Sequence, residues 1–287
     1  MTLQDTALAV LFAVFIWWFS TGIVLLLDGL QRQARRTSLV VASGLGLLAL
    51  LALAGSSRHT GAASVYCAFT SALLVWGWHE MTFLAGWITG PRRVPLATGA
   101  AGWPRVRQAV QAVLWHEISI ASVGLAIVVL TWDAPNPVGL WTYLVLWAMR
   151  SSAKLNLFLG VRNHSEEFLP ERLAHLPSYF RRRRLNPLMP VSLLGGTAVL
   201  LAMAAAASAD TTPPAAALGL VLAGTMLAMA LVEHALLVLP LSPTALWRWA
   251  LRGRDRLMPH PQATAPVAQA VDPAPPSSPH AKLLQPR

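Results

Sequence analysis

Seven stretches of this sequence are too long and too apolar to be elements of a water-soluble core. They cover about 7–30, 39–54, 62–89, 106–131, 137–160, 188–209 and 214–241. About 20 apolar residues carry a helix across bilayer hydrocarbon, where only structures that satisfy their own backbone survive. The run over 39–54 is the shortest and contains Gly44 and Gly46. Only 12% of the 287 residues are charged, and mean hydropathy is +0.53; soluble domains carry about twice that share of charge. The expected fold is therefore all-α, a polytopic membrane bundle of about seven transmembrane helices. The first run lacks a basic leader and a small-residue cleavage site, so it is expected to be a retained span.

The links between runs alternate in charge. The segment 31–38 carries Arg32, Arg35 and Arg36, and 90–107 carries Arg92, Arg93, Arg105 and Arg107. The link over 161–187 and the segment after the last run are also Arg-rich, whereas 55–61 has only Arg58, and "WDAPNP" and "DTTPP" have no basic residue. Positive charge marks the cytoplasmic side. That places the N-terminus outside and the C-terminus in the cytoplasm, which an odd number of spans requires. Trp87, Trp103, Trp247 and Trp249 fall at the expected cytoplasmic interface, and Trp132 and Trp141 at the other. Residues 1–258 read as the transmembrane domain, and 259–287, rich in Pro and Ala without periodicity, as a disordered cytoplasmic tail.

A net charge of +10 concentrated in short links is topological information, and nucleic acid is not an expected partner. Within 161–187, Leu169, Leu173, Leu176 and Phe180 recur at helical spacing, although Pro177 interrupts them. This predicts a helix on the membrane surface. Arg181, Arg182, Arg183 and Arg184 follow it and would attract anionic lipid or simply fix topology. The single cysteine, Cys67, reads as a small buried apolar residue.

Ionisable groups inside the runs are the functional signal. His79–Glu80, His116–Glu117 and Glu233–His234 lie in the third, fourth and seventh. The fifth holds Arg150, Lys154 and Asn156, with Asn163 and His164 just beyond it. Such groups are costly in hydrocarbon and face the bundle interior or water. Counted from the cytoplasmic ends at about 1.5 Å per residue, they fall roughly 9 to 17 Å deep, in one layer. Three carboxylates against two cations leave a deficit that a proton, an imidazolium or a metal ion could fill. His79, Glu80, His116, Glu117, Glu233 and His234 are thus candidate ligands of a divalent transition metal. Adjacent residues point about 100° apart on a helix, so one of each pair would ligate while the other supports it. The competing structural reading is interhelical hydrogen bonding that orders the bundle. A third reading is pigment: Ala112 and Ala230 lie four residues before His116 and His234, leaving room for a flat macrocycle whose magnesium those imidazoles would bind. There is no H-E-x-x-H, no P-loop and no recognisable Ser/His/Asp set.

Five stretches, "STGIVLLLDGL" (20–30), "WHEMTFLAGWITGPRR" (78–93), "WHEISI" (115–120), "MRSSAKLNLFLGVRNHSEEFLPERL" (149–173) and "EHALLVLPL" (233–241), make the chain resemble the PuhE family, photosynthetic complex assembly proteins of purple-type phototrophic bacteria. The resemblance implies a multi-pass protein of the bacterial inner membrane, cytoplasmic or intracytoplasmic. It implies a role in producing the reaction centre and core antenna, whose subunits would be partners, and a link to bacteriochlorophyll supply. It implies no catalytic residue. Two classes of function remain open: an assembly factor without chemistry, and a metal-dependent membrane enzyme acting on a tetrapyrrole or isoprenoid intermediate. A transporter is less well supported, because no Pro-interrupted half-helices occupy matching positions.

Overall fold

The computed structural model describes residues 2–257 apart from 165, 240 and 242. Among them eight α-helices follow in order: α1 (Leu3–Asp28), α2 (Arg32–Ser56), α3 (Ala62–Leu84), α4 (Gly102–Leu130), α5 (Val138–Leu159), α6 (Leu188–Ser208), α7 (Pro214–Leu236) and the short α8 (Arg248–Leu257). Five of these, α1, α2, α4, α6 and α7, are long and apolar enough to cross a membrane. Helices α3 and α5 are of similar length but hold polar side chains that their neighbours enclose. The expected tail over 259–287 lies outside the described residues.

Local chemistry sets the helix ends. The Thr2 hydroxyl accepts from the Asp5 amide while the Asp5 carboxylate accepts from the Thr2 amide, a reciprocal cap for α1. Pro214 occupies the first position of α7, where no amide hydrogen is needed. Helix α5 stops at Gly160, whose φ of +125° suits glycine and where a Cβ would meet Arg183 at 2.8 Å.

Three apolar clusters hold the bundle. Ala9 and Ala13 of α1 meet Phe69 and Leu73 of α3 and Leu222 and Met226 of α7. The two alanines let the α1 backbone approach closely, as packing in lipid favours. Leu53, Trp76, Ile120 and Tyr143 join α2, α3, α4 and α5. Phe83, Leu84 and Ala112 close on Leu173, Leu176 and Tyr179 from the link after α5. Helix α6 leans mainly on α7 and leaves Val191, Leu194 and Leu201 between 64% and 72% exposed.

The surface helix expected within 161–187 does not form. The segment makes three 3-10 turns, Glu166–Phe168, Glu171–Leu173 and Leu176–Tyr179. Pro170 and Pro177 lack the amide hydrogens that a continuous helix uses, so the leucines turn inward: Leu173 and Leu176 are buried. Cys67 is exposed rather than buried, because the outer face of a bundle in lipid is as apolar as its core. Helix α2 is longer than its apolar run, and α3 ends at Leu84, soon after His79 and Glu80.

The two ends of the bundle differ. At one, Asn136 spans the α2–α3 and α4–α5 links by donating to the Ser56 carbonyl at 3.1 Å, and Arg58 reaches the Leu130 carbonyl at 3.2 Å. At the other, long segments interlock. Arg105, only 5% exposed, donates to the carbonyls of Phe158 and Tyr179 at 2.7 and 2.8 Å and lies 3.7 Å over the Phe158 ring. Arg172 pairs with Asp28 and donates to the Leu84 carbonyl at 2.7 Å. The α3–α4 link docks onto α4 through backbone bonds, His116 N to Thr89 O at 2.9 Å and Arg92 N to Gln111 O at 3.3 Å.

Candidate functional site

The polar side chains singled out in the sequence occupy the middle and the basic end of the bundle, in three groups. The first consists of ion pairs. Glu80 of α3 accepts from Arg150 of α5 at 2.9 Å, and Glu117 of α4 from Lys154 of α5 at 2.5 Å. Arg150 and Lys154 are four apart on one helix face, so α5 answers two acidic helices with one stripe of cations. Glu233, the third carboxylate, is exposed on α7.

The second group centres on His79 and His116. Both are fully buried, with ring centroids 6.3 Å apart. His79 Nε2 lies 3.0 Å from the Tyr143 hydroxyl, which also lies 2.9 Å from the Ile120 carbonyl. A carbonyl only accepts, and tyrosine has one hydroxyl hydrogen. With both bonds made, Tyr143 donates to Ile120 and His79 Nε2 donates to Tyr143. Nδ1 of His79 is then the acceptor that faces the Ser119 hydroxyl at 3.4 Å. His116 packs on Phe83, centroids 4.5 Å apart, and neither of its ring nitrogens has a hydrogen-bond partner among the described residues.

The third group joins α5, α6 and α7. His234 Nδ1 donates to the Ala230 carbonyl at 2.8 Å, which fixes the tautomer and leaves Nε2, 2.9 Å from the Ser152 hydroxyl, to accept. The Ser152 oxygen is also 2.9 Å from that of Ser192, so its single hydrogen serves one partner at a time. Asn156 donates to Ser192 at 3.1 Å, and Asn186 donates to Asn156 Oδ1 at 3.0 Å and to the Gly160 carbonyl at 2.9 Å. Buried amides with every donor placed fix one packing of the helices.

These groups separate residues that the sequence places in one layer. Among the described residues no three His, Cys, Asp or Glu side chains gather into a group able to hold a metal ion. Glu80 and Glu117 face cations, and His79 and His234 face hydroxyls. Near Ala112 the α3–α4 link packs against the α4 backbone: a Cβ on Gly90 would lie 2.1 Å from the Gln111 carbonyl oxygen and 2.5 Å from the Ala112 carbonyl carbon. At His234 the nitrogen that would bind a pigment faces Ser152. Of the five residues expected to cluster around α5, Arg150 and Lys154 form ion pairs and Asn156 joins the serines. Asn163 donates to the carbonyls of Leu236 and Leu239 beyond α7. His164 binds the Arg181 carbonyl at 3.0 Å and Glu166 at 3.1 Å. Arg181, Arg182, Arg183 and Arg184 are exposed, with Arg182 3.4 Å from Glu166.

Tyr143, Ser152, Asn186 and Ser192 are not among the residues that the sequence singles out. Ser152 and Asn156 did carry a signal, because polar residues four apart within an apolar run share a helix face. Tyr143 carried none that distinguishes it from an ordinary core aromatic.

Comparison with known proteins supplies the relatives. The model of the family described as "Protein of unknown function (DUF3623)" matches residues 3–258. The chain is 39% identical over 278 residues to the "Uncharacterized 30.4 kDa protein in puhA 5'region" of Rhodobacter capsulatus, covering 93% of this chain and 96% of the relative. No solved structure matches.

Proposed function

The chain belongs to the DUF3623 family, and from that premise we propose that it is a multi-pass protein of the bacterial inner membrane that assists assembly of the photosynthetic reaction centre and its core antenna. The observation that carries this reading is the relative in the puhA 5' region of a phototrophic bacterium, similar over nearly its whole length. The resemblance to the PuhE assembly proteins points the same way. In this reading α3 and α5 also cross the bilayer, giving seven spans with the N-terminus outside and the basic end in the cytoplasm. Three features of the chain support that topology: seven long helices in series, Arg-rich links at one end, and polar groups of α3 and α5 paired within the bundle. Arg181, Arg182, Arg183 and Arg184 then face the headgroups of anionic lipid.

The arrangement suits a scaffold better than a catalyst. The ion pairs and amide bonds order helices that lack a hydrophobic drive to associate in lipid. The open faces of α2 and α6 leave wide apolar surface on which the helices of a reaction-centre or antenna subunit can lie. The test is a deletion strain complemented with single-cysteine variants at Val191, Leu194 and Leu201, with Cys67 replaced by serine. Near-infrared absorption measures reaction centre and antenna per cell, and cross-linking reports neighbours of α6. Restored absorption together with cross-links to a complex subunit is expected. A deletion strain with normal levels of both complexes would remove the assembly reading.

A further inference from the structure

At the basic end, a cavity of about 290 Å³ opens between the start of α2, the α3–α4 link and the 3-10 turns. Arg32, Arg35, Arg36, Arg93 and Arg172 line it, and no acidic residue does. Asp28 pairs with Arg172 from outside the lining. Among the described residues Arg32, Arg36 and Arg93 have no carboxylate within ion-pair distance. Arg35 donates to the Leu30 carbonyl at 3.0 Å, and its charge has no carboxylate partner there either.

The wall of the cavity carries a second, independent observation. Thr89 is 1% exposed and His175 is 9% exposed. The Thr89 hydroxyl and His175 Nε2 are both buried without a hydrogen-bond partner among the described residues, and both residues line this cavity. A buried polar group left unpaired is costly, and two such groups belong to residues that line one cavity. Burial, then the nearby Arg93 guanidinium, lowers the proton affinity of His175 below its ordinary value. A neutral imidazole can still donate one hydrogen bond. The first turn of α2 also has no side-chain cap, which leaves its amide dipoles available to an anion.

We propose that this cavity binds a phosphoryl group, carried either by the headgroup of an anionic lipid or by a free phosphorylated small molecule. Several guanidiniums around one small volume fit an anion with several oxygens, and Arg forms bidentate bonds to phosphate. The volume lies at the lower limit of ligand pockets, which run from about 300 to 1,000 Å³. It therefore suits a headgroup or pyrophosphate rather than a macrocycle. This site is separate from the exposed run at Arg181, Arg182, Arg183 and Arg184, and from any role in assembly.

The full chain in phosphatidylcholine nanodiscs is titrated with inorganic pyrophosphate by calorimetry. In parallel, chain released from nanodiscs containing phosphatidylglycerol is weighed by native mass spectrometry to count retained lipid. R36A/R93A is expected to weaken binding about tenfold or more. T89V, which keeps the shape and deletes the buried hydroxyl, should weaken it about fivefold. R182Q/R184Q should leave it within about twofold. Pyrophosphate binding identifies a free phosphorylated ligand, and phosphatidylglycerol retention alone identifies a lipid headgroup. The proposal fails if wild-type chain binds neither. It also fails if T89V binds as wild type does, or if R182Q/R184Q loses as much as R36A/R93A. Should R36A/R93A not accumulate, T89V decides.

Discussion

The two ends of the bundle are built from the same helices and differ in almost everything else. At the sparse end, short links close over Asn136 and Arg58; Gly55 and Gly61 there have nothing within 4 Å of where a Cβ would stand, while Gly139 is packed against Leu53. At the basic end, the α3–α4 link, the 3-10 turns and α8 interlock with the helix termini. There Arg105 and Asp28 are buried, and Gly90 presses backbone to backbone on α4. Joining two helices needs only a few residues. The extra chain at the basic end goes beyond what joining helices requires, and it places guanidiniums on carbonyls and around one cavity.

Substitutions can break or sharpen this contrast. The largest effect is expected for Asp28→Ala. It removes the buried partner of Arg172 and leaves that guanidinium beside Arg35 and Arg254. Asp28 is buried but Arg172 is 27% exposed, so the loss is expected at about 1.5–3 kcal/mol, the range for hydrogen bonds to charged groups, read as a drop in thermal midpoint in detergent and in membrane accumulation. An unchanged midpoint would mean that the basic end is ornament to the fold.

Next comes a matched pair of glycines. Gly90→Ala puts a Cβ into the Gln111 carbonyl and should destabilise by about 1–3 kcal/mol, the usual cost of overpacking. Gly55→Ala adds a methyl to open space on a helix and should stabilise by up to about 1 kcal/mol. Equal midpoints for the two variants would contradict the asymmetry.

Glu117→Gln probes the middle of the bundle. It keeps a hydrogen bond to Lys154 while removing the charge, and the expected loss is about 1 kcal/mol, near the measured range for polar contacts between membrane helices. Accumulation should fall while complex assembly per molecule stays constant. Constant accumulation with lost assembly would turn this pair from a structural into a functional one. The smallest effect is expected for Arg58→Gln at the sparse end, within about 0.5 kcal/mol, read from the same melting curves.

Much of the frame was legible in the residues. Run length and link charge predict seven transmembrane spans; among the described residues seven long helices follow in series, and five of them are long and apolar enough to cross a membrane. The intramembrane charges predict contact among α3, α4, α5 and α7, and Glu80–Arg150 and Glu117–Lys154 provide it for three of them. His234–Ser152 brings in α7. The grouping was not legible. His79 and Glu80 are neighbours in sequence but serve different partners, since adjacent helical residues point apart and a one-dimensional depth count cannot say toward which neighbour. The cationic cavity was equally hidden: Arg36, Arg93 and His175 lie far apart in the chain, and each reads alone as an interface charge.

The sequence by itself determined where this chain turns apolar and where it turns basic, and therefore which segments become helices and which become links. Those are properties of single residues and their near neighbours, set by the cost of taking charge and bare backbone into an apolar medium. Only the tertiary structure decided which imidazole meets which hydroxyl, that Pro170 and Pro177 turn the leucines of one link inward, and that a hydroxyl, an imidazole and several guanidiniums surround one empty volume. Such meetings depend on the rotation and offset of packed helices. These follow from close contact among many side chains at once, which no local stretch of sequence encodes.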